Sequence, residues 1–449
     1  MLRDSIKWWG GLAISLLIAI LLFKTGIGKI DSVLTFRPTV KTPAQAVSKP
    51  QEAQLSSEIT ESLDIRKIVW KGAIELGLKY PLFGTGVETF AYSYYFVRPV
   101  EHNLTSEWDY LYNKAHNEYL NYLATTGFLG LTAYLLLIGS IIYIFIRSIL
   151  LPAKKQAETT LLITALFSAY ITILITNFFG FSTTTINLFF FILIPGTFLA
   201  KEAIFTKDLS KSVSFYGFIA SSITLLYLLV NLILYFVADT DYALGNNYAR
   251  TGDYQQAASY LNKALSLHYE HVYQDKYSYY LANLAFIAAY QKQNQLVSKL
   301  MNLATFYNSQ TLVVSSQNVN YWKTRGKNDY LFYQIKLDKK YLADGVSALN
   351  QAENLAPTDP KLPYSLAIYY SLLNDEEKDK DKKALYKTLS LNNIDKSIEL
   401  KNDYRDAYFL KAQLLKKYGQ KEKASQALEF ILQKINPQDT EVKKELENL

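Results

Sequence analysis

The chain has 449 residues, half of them hydrophobic, with no cysteine and a formal net charge of +7. The absence of cysteine excludes disulfides and thiolate metal sites, and the modest, well-mixed charge argues against nucleic acid as a partner. A chain of this length is expected to hold two or three domains. Long apolar runs precede residue 240, and a polar, Tyr-rich and Lys-rich stretch follows it.

Five apolar runs predict membrane-spanning helices. The first, Trp8–Phe23, also fits a secretory signal peptide, but no small-x-small cleavage site follows promptly, so an uncleaved span is favoured. The other four each approach the ~20 residues that a bilayer requires. They are residues 127–149, 159–179, 184–203 and 213–237.

The basic residues in the short loops predict the orientation of these spans. They precede span one, lie between spans two and three, and lie between spans four and five, which places all three sets on the cytoplasmic side. A multi-pass protein of the cytoplasmic membrane is therefore expected, with the loop and the C-terminal part outside the cytoplasm. The predicted domains are a span at 1–29, an outer loop at 30–126, three spans at 127–205, a fifth span with its preceding turn at 206–238, and a repeat domain at 239–449.

In the outer loop, a helix is predicted from about Ser56 to Gly77, after a Pro-rich and Ser-rich linker. Its apolar stripe, which includes Leu63, Trp70 and Ala73, has Arg66 in a seam position. A seam arginine needs an anion, because an unpaired buried charge is costly. A salt bridge to a loop carboxylate is one solution, and a bound phosphate, which suits the forked donors of arginine, is the other.

Glycines and a histidine follow this helix. Gly84 and Gly86 predict a tight turn with close backbone approach rather than a phosphate loop. A second helix is expected from Thr105 or Ser106 through His116, a residue that is either packed or catalytic. At the mouth of the next span, small residues three apart allow close helix packing; these are Gly127 and Gly130.

Three motifs occur here in a fixed order: Arg-x-x-x-Trp, Pro-x-x-Gly-x-Gly, and His-Asn, nine residues, Gly-x-x-Gly. Together they resemble the large outer loop of the O-antigen ligase and polymerase superfamily, over about residues 5–205. The residues that carry the resemblance are Arg66 with Trp70, Pro81 with Gly84 and Gly86, and His116-Asn117 with Gly127 and Gly130.

Members of this family transfer a glycan from an undecaprenyl-diphosphate carrier to an acceptor on the outer side of the membrane, without a metal or another cofactor. The resemblance implies that Arg66 holds the diphosphate and that His116 deprotonates or orients an acceptor hydroxyl or amide. It also implies that Trp70 and Asn117 bind substrate and that the four glycines shape the motif. The acceptor would be a glycan, a lipid or a protein. Family members have more spans upstream, so a longer polypeptide or a partner subunit is expected.

Two weaker motifs have simpler interpretations. Asp239-Thr240-Asp241 has the Asp-x-Asp form of metal-dependent glycosyltransferases but is expected to cap a helix. His268 and His271 lie three apart without a third ligand, and they are expected at the surface. No metal site is predicted.

The C-terminal part resembles tetratricopeptide repeats, in segments 242–265 and 407–437 with degenerate helices at 348–357 and 363–373. The predicted fold is all-α: a polytopic membrane bundle with a helical outer loop, followed by an α-solenoid of about ten helices. Its concave face suits a protein, a glycan or a partner enzyme. The alternative function is therefore a non-catalytic, membrane-anchored scaffold for envelope polysaccharide assembly.

Overall fold

A computed structural model describes residues 62–150, 157–200 and 211–449. The predicted first span and the Pro-rich linker lie outside these residues. The described residues form helices, turns and irregular segments, without a strand. The predicted all-α class is therefore confirmed for this part of the chain.

Helix α1, Ser62–Lys79, and several single helical turns build the described part of the outer loop. The buried face of α1 only partly matches the predicted stripe. Ala73 is buried as predicted, but Leu63 is 48% exposed, and Ile65, Val69 and Leu76 are buried beside it. Arg66 and Trp70 are half-buried at the edge of that face. The predicted seam position of Arg66 was therefore wrong. The core that α1 covers is apolar and local, comprising Ile65, Val69, Ala73, Leu76, Phe90, Tyr94, Val97, Tyr112, Ala115 and Ala124.

The predicted second loop helix was also wrong. A short 3-10 turn spans Val100–Leu104, and residues 105–117 are turns and irregular backbone. His116 has a left-handed φ of 53°, which no α-helix accommodates. The Asn117 side chain accepts a hydrogen bond from the Leu120 amide at 3.0 Å and so caps a helix that begins at Glu118.

Three apolar helices follow: α2, Glu118–Leu150; α3, Ala157–Phe179; and α4, Thr184–Ala200. Their shared core is aromatic and β-branched, around Tyr134, Phe145, Tyr170 and Phe190. Helices α2 and α3 are long and apolar enough to cross a membrane, whereas α4 has 17 residues. These helices indicate a membrane protein.

Helix α5, Lys211–Arg250, is continuous for 40 residues. Its apolar window is 0% buried against the described residues, so lipid is the environment that suits it. Asp239 and Asp241 lie inside this helix, and the predicted capping role was therefore wrong. Because no turn interrupts α5, the apolar segment and the first helix of the repeat domain are one continuous helix.

Ten further helices of the described segment 211–449 form the solenoid, and each packs chiefly on its sequence neighbour. The pairs are α5 with α6, α7 with α8, α9 with α10, α11 with α12, and α13 with α14. Small residues permit the close approach: a Cβ on Gly345 would lie 2.5 Å from the Tyr369 ring. The helices are α6, Tyr254–Leu267; α7, His271–Tyr290; α8, Asn294–Val314; α9, Val319–Lys336; α10, Lys339–Leu355; α11, Lys361–Glu376; α12, Lys380–Leu400; α13, Arg405–Lys417; α14, Lys421–Phe430; and α15, Thr440–Glu447.

The outer loop docks on this solenoid around a buried asparagine. The Asn103 side-chain amide donates to the carbonyl oxygens of Thr358 at 2.8 Å and Leu400 at 3.0 Å. In return, the buried Lys401 ammonium donates to the Asn103 carbonyl at 2.8 Å. Trp108 packs edge-to-face on Tyr404 beside these bonds. The loop that carries the sequence motifs is thus fixed to the repeat domain.

Replacing Asn103 by Ala is expected to release the loop from the solenoid. The change leaves two buried carbonyl oxygens without their donor, at a cost of about 1–3 kcal/mol each. Hydrogen–deuterium exchange should therefore quicken in residues 98–109 while the solenoid stays protected. Asn393→Ala is the control, because the Asn393 side chain bonds only within its own helix. Equal exchange in the two variants would contradict this docking role.

Candidate functional site

The side chains of Arg66, Trp70 and His116 meet where α1, the loop and the membrane helices join. The Arg66 guanidinium donates from Nη1 to the Phe179 carbonyl oxygen at 2.9 Å. The Trp70 indole donates from Nε1 to the His116 carbonyl oxygen at 3.3 Å. The His116 ring lies edge-on to Phe181, with 5.2 Å between ring centroids. The structure therefore brings together three of the residues that the motifs predicted.

Arg66 has no carboxylate partner among the described residues. Its one described hydrogen bond uses Nη1, and no described residue accepts from the other guanidinium nitrogens. The carbonyl that it contacts belongs to the C-terminal residue of α3, where the helix dipole is negative and favours a cation. This contact positions Arg66 but does not neutralise its charge. An arginine that binds phosphate needs to keep that charge.

The pKa of His116 lies below its usual value of 6.5. Burial is the larger cause, because it disfavours the charged ring, and the positive charge of Arg66 acts in the same direction. The carboxylate of Glu107 opposes the shift. His116 is consequently neutral near pH 7 and has a ring nitrogen available to accept a proton.

His102 differs from His116 in its environment. It is fully buried, with Nδ1 hydrogen-bonded to the Tyr94 hydroxyl at 3.1 Å. Burial, followed by the charge of Arg98, lowers the pKa of His102 to about 4. A histidine so enclosed is part of the loop core and has no access to a substrate.

Asn117 is 2% exposed, and its side-chain oxygen caps α2. Asn121 supports the same turn, because its side-chain oxygen accepts from the Ala115 amide at 3.3 Å. The structure therefore gives Asn117 a capping role that holds His116 in its left-handed conformation. A direct contact of Asn117 with substrate would compete with that cap.

The two glycine motifs dock on each other. Gly127 interrupts α2 with a φ of 67°, and the segment 81–86 replaces the helical hydrogen bonds lost there. The amides of Thr85 and Gly86 donate to the carbonyls of Ala124 and Thr125, at 3.1 and 2.8 Å. The Pro81 and Leu82 carbonyls accept from the Phe128 and Leu129 amides, at 2.7 and 3.3 Å.

Glycine is required at this junction for steric reasons. A Cβ on Gly84, whose φ is +65°, would lie 2.4 Å from the backbone of Thr125, and one on Gly127 would lie 2.5 Å from the backbone of Leu82. Gly130 makes room for the Thr126 side chain, since its Cβ would lie 2.1 Å from Oγ1. Gly86 has a φ of 110°, which L side chains rarely adopt.

Sequence reasoning missed the turn between α3 and α4, residues 180–183, as part of the site. The Ser182 amide donates to the Glu118 carboxylate at 3.2 Å, and its hydroxyl donates to Asn177 at 2.9 Å. This turn places the Phe181 ring against His116. Its only sequence signal was a polar asparagine close to the end of an apolar run.

An apolar groove opens beside the cluster formed by Arg66, Trp70 and His116. It has a volume of about 450 Å³ and lies between α2 and α3. Phe178 joins it to the cluster through an edge-to-face contact with Trp70, at 5.9 Å between ring centroids. The lining residues are Tyr119, Ile171, Leu174, Ile175, Phe178 and Phe179.

The weaker motifs do not join this site. Asp239 accepts from the Tyr273 hydroxyl at 3.4 Å and lies on the exposed side of α5. His268 ends α6, where it contacts Glu270 at 3.6 Å and the Tyr235 ring. Within the described residues, no group of three or more His, Asp or Glu side chains is placed to hold a metal ion.

Residues 2–135 match the family model described as O-antigen ligase. The resemblance predicted from the loop motifs is therefore confirmed over that range, which is shorter than the predicted 5–205. No curated protein matches the chain at a significant level.

Several solved structures are similar in fold to the chain. A thermophilic TPR protein of Thermus thermophilus has 18% identity, with 47% of this chain and 97% of that chain covered and a TM-score of 0.34. The MamA protein has 13% identity, with 47% and 94% covered and a TM-score of 0.32. A monomeric mutant of IFIT1 with Gppp-AAAA has 12% identity, with 85% and 75% covered and a TM-score of 0.37.

Gly84→Ala and Gly127→Ala are each expected to destabilise the loop by more than about 2 kcal/mol, because a left-handed residue and an overpacked contact both add strain. The thermal midpoint of the full-length protein in detergent measures the effect. Gly139→Ala is the control, since a Cβ there meets nothing within 4 Å and the residue lies in the same helix. An equal loss of stability in Gly139→Ala would contradict the steric requirement for glycine at positions 84 and 127.

Arg66→Gln is expected to raise the pKa of His116, because it removes a positive charge that disfavours the imidazolium. The chain has four histidines, so ¹³C-histidine NMR resolves each titration, with single His→Asn variants for assignment. His102 serves as the internal reference, because the charge that lowers its pKa is that of Arg98 and not of Arg66. An unchanged or lower pKa of His116 would contradict the electrostatic coupling.

Proposed function

We propose that the protein transfers a glycan from a polyprenyl-diphosphate carrier to an acceptor hydroxyl or amide on the outer face of the cytoplasmic membrane, without a metal. The observation that carries the proposal is the proximity of Arg66, which has no carboxylate partner among the described residues, to a neutral His116 beside an apolar groove. The match of residues 2–135 to the O-antigen ligase model supports the same class of reaction.

In this proposal the donor lies with its polyprenyl chain against the groove of α2 and α3. Its diphosphate faces the remaining donors of Arg66. The acceptor oxygen attacks the anomeric carbon, the bond from that carbon to the diphosphate oxygen breaks, and the carrier leaves with one further negative charge. Arg66 stabilises that developing charge, because guanidinium matches phosphate oxygens with paired donors.

His116 is assigned to the acceptor. The proton of the attacking hydroxyl passes to a ring nitrogen of His116, which is neutral near pH 7 and able to take it. The Trp70 indole and the Asn117 cap hold the backbone on either side of that ring. In this assignment Trp70 positions the base and borders the donor site, and the acceptor is a glycan, a lipid or a protein.

The second candidate is a membrane-anchored scaffold that recruits other proteins of envelope polysaccharide assembly. The observation that favours it is the solenoid itself, which is the larger part of the described chain and is joined rigidly to α5. Extended concave surfaces of this type commonly bind partners. The two candidates differ in their dependence on Arg66 and His116.

His116→Asn and Arg66→Gln are expected to reduce glycan transfer by at least about 100-fold. Asparagine adopts the left-handed conformation readily, so His116→Asn removes the base and keeps the backbone. Arg66→Lys should retain partial activity, because it keeps the charge and loses the forked donors. Transfer is measured in proteoliposomes with lipid-linked oligosaccharide extracted from the source cells.

Lys67→Ala is the matched control, since Lys67 is the exposed neighbour of Arg66 on α1. The control should transfer normally, and transfer by the unsubstituted protein should persist in EDTA. In complemented cells the two test variants should accumulate the lipid-linked donor while remaining folded. Normal transfer by both variants would exclude the enzyme and leave the scaffold. Loss of transfer in EDTA would contradict metal independence.

A further inference from the structure

A second cavity lies in the concave face of the solenoid, away from Arg66 and His116. Its volume is about 680 Å³, which is in the range of small-ligand sites. Helices α7, α9, α10 and α11 form its walls, and the outer loop closes one side with Tyr95 and Asp109. We call it the solenoid cavity.

Three lysines and one carboxylate line the solenoid cavity: Lys323, Lys327, Lys361 and Asp109. Lys361 pairs with Asp109, and Lys323 pairs with the buried Asp359 at 2.5 Å. Lys327 has no carboxylate within ion-pair distance among the described residues. Lys327 is therefore the lining lysine that has no direct carboxylate partner among the described residues.

The surroundings of Lys327 make its positive charge unfavourable without a ligand. Burial lowers the pKa of Lys327, and the ammonium groups of Lys276 and Lys323 lower it further. The carboxylate of Asp275 acts in the opposite direction, but it is not among the residues that line the cavity, and it already accepts hydrogen bonds from Thr324 and Asn308. An anion bound beside Lys327 would relieve this repulsion.

Tyrosines, four aliphatic side chains and two neutral polar groups supply the remaining surface. Tyr95, Tyr279, Tyr330 and Tyr369 line the solenoid cavity, with Asn320 and Ser365 as neutral polar groups. Tyr279 lies under the Lys327 ammonium at 5.8 Å, and Tyr95 lies under that of Lys323 at 5.4 Å. Flat apolar faces beside hydroxyl and amide groups suit a ligand that has apolar ring faces and many hydroxyls, which is the chemistry of a sugar.

We propose that the solenoid cavity binds an oligosaccharide that carries uronate-type carboxylates, with one carboxylate at Lys327 and the sugar rings against the tyrosines. Lys323 and Lys361 already hold carboxylates of the chain, and the ligand completes the same pairing at Lys327. The expectation of a glycan rather than another acid rests on the proposed function. Because Tyr95 and Asp109 belong to the loop that carries His116, the bound glycan would lie against the back of that loop.

The test uses the full-length protein in nanodiscs and isothermal titration calorimetry with tetragalacturonate. Binding should weaken at least 10-fold in Lys327→Gln, should be abolished in Lys327→Glu, and should fall with added salt. Lys299→Gln is the control, since Lys299 is exposed on α8 outside the cavity. It should bind as the unsubstituted protein does. Neutral maltotetraose should bind at least 10-fold more weakly.

Three results would overturn the proposal: no binding of tetragalacturonate, equal loss in Lys299→Gln, or equal binding of a tetraglutamate peptide, which would make the cavity a site for acidic peptides. The titration is repeated in His116→Asn, which should bind normally. Binding without any dependence of transfer on Arg66 and His116 would refute the proposed function and leave this site. Glycan transfer that depends on Arg66 and His116, without binding of tetragalacturonate, would refute this site and leave the proposed function.

Discussion

The candidate site depends on four backbone hydrogen bonds between the segment 81–86 and the break in α2 at Gly127. A helix interrupted at the edge of an apolar region leaves amides and carbonyls without partners, and such groups are costly where water is excluded. The segment 81–86 supplies those partners. This fixes the direction of the short helical piece that begins with the Asn117 cap, and with it the place of His116.

The outer loop is held from two sides. On the membrane side, Arg66 contacts the last carbonyl of α3, and Glu118 contacts the turn at Ser182. On the other side, Asn103 and Lys401 join the loop to the solenoid. The same charge then has two effects, because the Arg66 guanidinium that suits a diphosphate also lowers the pKa of His116 and keeps that ring neutral. A guanidinium that suits an anion and an unprotonated imidazole are thus compatible side by side.

The apolar segments could be predicted from the sequence. Individual turns and the exact buried faces of helices were predicted less well. Apolar runs predicted α2, α3 and the first part of α5, because bilayer thickness sets their length. The predicted helix through His116 was wrong. The side-chain hydrogen bonds of Asn117 and Asn121 and the left-handed conformation of His116 outweigh the helical spacing. The stripe of α1 was right at Ala73 and Gly77 and wrong at Leu63, because the buried face runs through Ile65 and Val69 and leaves Arg66 and Trp70 at its edge. About ten helices were expected in the repeat domain, but α8, α9 and α12 were not located individually, because their small residues match tyrosine and leucine partners that the repeat pattern does not specify.

The sequence by itself determined the all-α class, the positions of the apolar helices and the motif residues Arg66, Trp70, His116 and the glycines. These follow from composition, spacing and the conformations that glycine alone permits. Only the tertiary structure decided that Gly84 and Gly127 touch, that Asn117 is a cap, and that Phe179 and Phe181 complete the cluster. It also decided that three lysines from two helices of the solenoid share one cavity with the loop. Contacts between residues far apart in the chain arise from packing, which local sequence patterns do not encode.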